Sequence, residues 1–214
     1  MSDGGLLIAL EGGEGAGKST QAAVLAQWVT TQGRRVVSTR EPGGTPLGVA
    51  VRRVLLDPAT GVLSPRTEAL LYAADRAEHV DTVLLPALAQ GAVVVTDRYV
   101  DSTLAYQGAG RDLTRAELER LCRWATGGLR PHLTVLLDVD TTVGSGRLSG
   151  RDRLEAEPAS FHQRVRQGFL DLATADPTSY LVLDAHAPVE DVSAAIRARV
   201  APLLRGADRA DAPR

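Results

Sequence analysis

The stretch Leu6 to Thr20, LLIALEGGEGAGKST, leaves few folds open to this chain. A short apolar run, Leu6 to Leu10, reads as a buried strand. A glycine-rich turn follows, and the pattern predicts a helix opening at about Lys18. Gly12, Gly17, Lys18 and Ser19 fit the spacing G-x-x-x-x-G-K-[ST], in the strand-then-helix context that this spacing requires. Phosphate oxygens must come within hydrogen-bond distance of backbone N–H groups, and a Cβ obstructs that approach. Glycines at 12, 13, 15 and 17 leave the way clear and allow positive φ. The helix N-terminus behind them adds partial positive charge. The segment Gly12, Gly13, Glu14, Gly15, Ala16, Gly17, Lys18, Ser19 and Thr20 is therefore the expected triphosphate cradle. Lys18 brings a point charge to the β and γ phosphates, and the Ser19 hydroxyl is a candidate Mg²⁺ ligand. Lys18 is also the only lysine in the chain.

The rest of the chain alternates strand and helix patterns. Expected strands are Leu6–Leu10, Val36–Thr39, Ala92–Thr96, Leu133–Leu137 and Tyr180–Leu183. Expected helices are Gln21–Thr31, Leu47–Leu56, Ser64–Gln90, Leu113–Thr126, Ser160–Ala175 and Val189–Leu204. Ser64 and Pro65 read as N-cap and first helical residue, and Pro86 as a kink. Thr114 with Glu117 reads as a capping box. Five strands alternating with helices make an α/β fold, a five-stranded parallel sheet with helices on both faces. One domain over 1–204 is expected, with a mobile Gly- and Arg-rich loop at about 141–158 and a disordered polar tail over 205–214. In such sheets ligands bind beyond the carboxyl ends of the strands. The glycine loop, Arg40-Glu41, Asp97-Arg98 and the loop after Asp138 all fall there.

Composition narrows the function. A formal net charge of −2 gives no global basic field for nucleic acid or an anionic membrane. No apolar run approaches the ~20 residues of a membrane span, and the N-terminus lacks signal-peptide character. One cysteine, Cys122, fits a reducing cytoplasm. The four histidines have no metal-ligand spacing. The chain contains no asparagine, which excludes the Asn-Lys-x-Asp base reader of GTPases.

Four segments follow the glycine loop in order: TREPGGT (39–45), TDRY (96–99), STLAYQG (102–108) and DRLE (152–155). Together they resemble the thymidylate kinase family of the bacterial type, over about Leu6 to Leu204. That resemblance implies transfer of the ATP γ-phosphoryl group to dTMP. Phosphoryl transfer between two anions needs cations between them. Arg98, just past a buried strand, is placed to hold the acceptor phosphate by a forked contact. Asp97 would orient it or hold a Mg²⁺ water. The resemblance places Tyr72 on the thymine face, Arg76 at its carbonyl edge, and Thr103, Tyr106 and Gln107 along the thymidine pocket. It places Glu14 near the acceptor's 3′-OH. The positions between Gly12 and Gly17 carry no cation, so the resemblance implies that Arg147, Arg151 and Arg153 of the lid supply the charge. Arg153 and Arg151 are the transition-state candidates and Arg147 the adenine cover. The resemblance further implies a homodimer through the helices between Leu47 and Gln90. Two rival readings stay open at this stage. One is another nucleoside monophosphate or deoxynucleoside kinase. The other is a P-loop switch that hydrolyses ATP for a protein partner.

Overall fold

The structure is a computed structural model and describes residues 4–111, 113–140 and 152–210. Five strands run parallel in one sheet: β1 (Leu6–Gly12), β2 (Val36–Arg40), β3 (Val93–Asp97), β4 (Leu133–Asp138) and β5 (Tyr180–Asp184). Their order is β2-β3-β1-β4-β5. β1 lies at the centre, with Leu6 beside Val93 and Ile8 beside Leu133. Because every pair is parallel, the glycine loop after β1, Arg40, Asp97, Asp138 and Asp184 end on one edge.

Strand alternation assigns the two faces. Leu6, Ile8 and Leu10 pack against Ala22, Leu25 and Val29 of α1 (Lys18–Thr31) and Val192, Ile196 and Val200 of α8 (Val189–Ala210). Leu7 and Ala9 face Val80, Leu84 and Tyr99. Burying an aliphatic side chain of this kind stabilises the fold by about 1.5–3 kcal/mol. Glu11 continues the Leu7–Ala9 row, so its carboxylate ends in the interior with no exposure. A third cluster joins Val51 and Leu55 of α2 (Pro46–Leu56), Tyr72 of α3 (Pro65–His79), Tyr106, and Phe161, Val165 and Phe169 of α7 (Ala159–Ala175).

The expected helix starts are present. Thr45 caps α2 by accepting from Gly48 N at 2.9 Å, and Ser64 caps α3 by accepting from Thr67 N at 3.3 Å. Thr114 differs from the expected capping box. Its hydroxyl donates to the Glu117 carboxylate and makes no side-chain bond to the N–H groups of α6 (Arg115–Ala125). The long helix expected over Ser64–Gln90 divides: α3 passes into a π turn, Val80–Leu84, before α4 (Leu85–Ala89). Pro86 has no N–H for the carbonyl four residues back, and the wider turn absorbs that loss.

Two stretches depart from expectation. Val100–Gly110, left without assigned structure, is α5 (Val100–Thr103) followed by a π turn, Leu104–Gly110. The last helix runs on past Leu204 to Ala210, six residues beyond the expected end. Leu204 is buried and pins the helix at that point. The part of the expected lid over 141–151, with Arg147 and Arg151, and the tail from 211 lie outside the described residues.

Candidate active site

A cavity of about 580 Å³ opens at the carboxyl edge of the sheet. At one end lies the glycine loop. Gly15 and Gly17 hold φ of 70° and 87°, the left-handed region that glycine tolerates. Gly12, at φ 136°, has a second reason to be glycine. A Cβ there would lie 2.3 Å from the Leu137 carbonyl oxygen, so β4 rather than a ligand excludes it. Lys18 is buried and its Nζ donates to the Gly13 carbonyl at 2.6 Å. Burial, then the Arg98 charge, bring its ammonium down to about 8. Ser19 Oγ donates to Asp97 Oδ2 at the end of β3. Two hard oxygens therefore stand side by side at the mouth of the loop, a pair that suits Mg²⁺.

Arg98 joins this end to the next. Its backbone takes φ 74°, the single non-glycine residue in the left-handed region among the described residues. Glu11 holds that turn, accepting from Tyr99 N at 2.8 Å and from Ser102 N at 3.2 Å. The Arg98 guanidinium then spans the cavity. Nη1 donates to Gly12 O at 3.0 Å and Ser102 Oγ at 2.9 Å; Nη2 donates to Glu14 Oε1 at 2.6 Å and the Tyr106 hydroxyl at 3.2 Å. The Tyr106 hydroxyl donates to Glu14 Oε1 at 2.8 Å. Burial acts to raise the Glu14 carboxyl, but Arg98, Lys18 and Tyr106 outweigh it and hold it at about 2. Burial, then the Asp101 carboxylate, push Glu11 up to about 7.

The far end is lined by Tyr72, Arg76, Thr103, Tyr106 and Gln107. Arg76 is fully buried and tightly held. It donates to Glu41 Oε2 at 2.8 Å, Thr103 Oγ1 at 3.0 Å and Tyr99 O at 2.9 Å, and its charge lies 5.6 Å from the Tyr99 ring centre. Glu41 is shared with His79 Nδ1 at 2.8 Å, whose Nε2 meets Thr39 Oγ1 at 2.7 Å. Asp75 is buried behind them. Burial, then the Glu41 charge, raise its carboxyl to about 6, and its Oδ2 has no partner. An orphaned buried oxygen of this kind favours the protonated form.

The sequence-derived residues of the glycine loop, with Asp97, Arg98, Tyr72, Arg76, Thr103, Tyr106 and Gln107, thus come together around one cavity. Arg153 does not join them. Its Nη2 donates to Glu68 Oε2, its Nε to Leu55 O at 2.8 Å, and its own N–H to Leu56 O at 3.0 Å. These contacts fasten it to the end of α2 and to α3, off the cavity wall. The charged lining residues Arg40, Glu41, Arg52, Asp152 and Glu155 had no role assigned from sequence. Arg40 and Glu41 belong to TREPGGT, so the motif carried the signal. Arg52 sits one residue past the buried Val51, on a helix without a motif, and carried none.

A family model for thymidylate kinase matches residues 10–196. The thymidylate kinase of Cutibacterium acnes is 56% identical over 201 residues, covering 94% of this chain and 98% of that protein. The chain belongs to the thymidylate kinase family. The thymidylate kinase of Deinococcus radiodurans is 54% identical over 199 residues, covering 92% of this chain and 96% of that protein. The crystal structure of thymidylate kinase from Ehrlichia chaffeensis superposes with a TM-score of 0.75 at 30% identity, covering 92% of this chain and 99% of that one. Thymidylate kinases are nucleoside monophosphate kinases that phosphorylate dTMP to dTDP with ATP, in dTTP synthesis. The all-parallel sheet with a P-loop after its central strand is the fold of that class.

Proposed function

We propose that this chain transfers the γ-phosphoryl group of ATP to dTMP by holding the two nucleotides at opposite ends of the cavity, with Arg98 between them. The glycine loop and Lys18 bind the donor phosphates, and Lys18 neutralises charge as the γ-phosphoryl group leaves. Ser19 and Asp97 would hold Mg²⁺, which supplies charge neutralisation on the phosphate oxygens. Arg98 grips the acceptor phosphate, aided by Arg40 and Arg52 on the same wall. Tyr72 stacks on thymine, and Arg76, Thr103 and Gln107 meet its polar edge. Glu14 and Tyr106 border the deoxyribose. Arg151 is assigned to the transferring group, Arg147 to the adenine side, and Arg153 to anchoring the lid's root.

A homodimer through α2 to α4 accounts for Leu47, Val49, Val54 and Leu70, all substantially exposed on those helices. The fit with a cytoplasmic enzyme rests on Cys122, the single cysteine, and on the absence, among the described residues, of any helix long and apolar enough to cross a membrane.

The observation that carries this reading is the guanidinium of Arg98, bonded at once to the glycine loop and to both acidic and phenolic groups of the acceptor end. Replacing it by lysine keeps the charge and removes the fork. Arg98→Lys is expected to cut kcat/KM for dTMP by ~10²–10³-fold while KM for ATP stays within about threefold. An equal loss of ATP affinity would remove Arg98 from the acceptor end.

A further inference from the structure

Glu68 does not line the cavity, yet it governs side chains that do or that border it. Its carboxylate is fully buried on α3. Oε1 accepts from Gln107 Nε2 at 2.8 Å and from Arg111 Nε at 3.3 Å; Oε2 accepts from Arg111 Nη2 at 3.4 Å and from Arg153 Nη2. Burial acts to raise this carboxyl, but Gln107, Arg153 and Arg111 hold it below the ordinary range, so it is ionised at neutral pH. An ionised carboxylate can only accept hydrogen bonds. The amide of Gln107 must therefore present its NH₂ end to Glu68. The carbonyl Oε1 is the end left for the cavity.

Arg76 imposes the opposite polarity on Thr103. A guanidinium can only donate, so Thr103 Oγ1 accepts from it at 3.0 Å, and the hydroxyl proton is left for another acceptor. Thr103 and Gln107 are four residues apart on the helical stretch and line the same wall. Beside the Arg76 guanidinium, itself a donor, the wall thus offers a donor from Thr103 and an acceptor from Gln107. Thymine and uracil present the complement, an O4 acceptor beside an N3–H donor. Cytosine presents the reverse, an N4 amino donor beside an N3 acceptor.

We infer that Glu68 is a positioning residue for base choice: by fixing the polarity of Gln107 it makes the pocket accept a pyrimidine carrying N3–H and reject cytosine. The inference rests on the reading of the Tyr72-to-Gln107 wall as the acceptor-base site. Glu68 touches no base and acts through Gln107 alone.

The test compares kcat/KM for dTMP and dCMP, by ADP release with saturating ATP and Mg²⁺, in folded variants checked by thermal melting. In Glu68→Gln the new amide can donate as well as accept, so Gln107 is free to turn over. The dTMP-to-dCMP preference is expected to fall at least ~10-fold, with KM for ATP unchanged. The exchanged pair Glu68→Gln with Gln107→Glu again leaves an acceptor on the cavity side and is expected to keep most of the preference. Should Glu68→Gln fail to fold, the exchanged pair decides, and loss of preference there overturns the inference. Arg111→Met removes a different Glu68 contact and is expected to leave the preference intact; a matching loss in that variant also overturns it. Gln107→Leu separates the two levels. If it lowers the preference while Glu68→Gln does not, the role of Glu68 is wrong. If Gln107→Leu changes neither the preference nor KM for dTMP, the base-site reading itself is wrong.

Discussion

Arg98 and Glu14 meet at 2.6 Å across the mouth of the glycine loop, so the end of β3 and the glycine loop share one ionic joint. Both groups are partly shielded, with side-chain exposures of 14% and 23%. A charge pair in that setting is stronger than a surface pair, which contributes about 0–1 kcal/mol. The same guanidinium lies 5.1 Å from the Tyr106 ring centre, so its position is set by charge, hydrogen bonds and ring face together.

Glu11 underwrites that position from below, and its raised carboxyl makes stability depend on pH. The folded state binds a proton at Glu11 up to about pH 7, whereas the unfolded chain releases it near 4.5. In that window the native state holds more protons, so stability falls as pH rises from about 4.5 to 7. Asp101, raised by burial, acts in the same direction. Glu11→Gln is expected to flatten this fall, losing roughly 1–3 kcal/mol less than the parent protein between pH 4.5 and 8. Chemical denaturation from pH 4.5 to 8 measures it, and parallel curves for the two proteins would contradict it.

Lys18 offers a chemical handle because the chain has no other lysine. With its ammonium brought down to about 8, the amine becomes nucleophilic in a range where ordinary lysines are protonated. Labelling by an acylating reagent is expected to inactivate the enzyme with half-maximal rate near pH 8, and ATP is expected to protect. Peptide mapping separates Lys18 from the α-amino group. Inactivation that ATP does not slow would place Lys18 outside the donor site.

The lid arginines are expected to part company. Arg153 is held by Glu68 and by the Leu55 and Leu56 carbonyls, so Arg153→Gln should lower the melting temperature by several degrees with less than tenfold change in kcat. Arg151→Ala should lower kcat by ~10³-fold with little change in KM for dTMP. Melting curves and steady-state rates on both variants check this. The reverse pattern returns the transition-state role to Arg153.

How much could be read from the chain depended on whether a residue's reason was local. The glycine loop was legible because strand, turn and helix are contiguous there. Ser64 and Pro65 were legible for the same reason. Val100–Gly110 was not, since Gly108 and Gly110 look like turn residues. Gly110 is glycine because a Cβ would lie 2.6 Å from the Phe161 ring, so close packing on α7 sets it, not a turn. Gly12 has a similar explanation in Leu137 of β4. Glu68 resembles any solvated helix glutamate, because its partners Gln107 and Arg153 lie 39 and 85 residues along the chain. Arg98 was legible as a candidate clamp from its motif, but its left-handed backbone and its bond to Glu14 needed the fold.

The central claim is that one cavity joins ATP to dTMP. It is tested most directly by ADP production from ATP and Mg²⁺ with dTMP, dUMP, dCMP, AMP or no acceptor. Turnover is expected to favour dTMP strongly, to be weak with dCMP and AMP, and to stay near background without acceptor. ADP release that proceeds equally well without any acceptor would contradict it, leaving the glycine loop as a nucleotide site and the Tyr72-to-Gln107 wall without an acceptor.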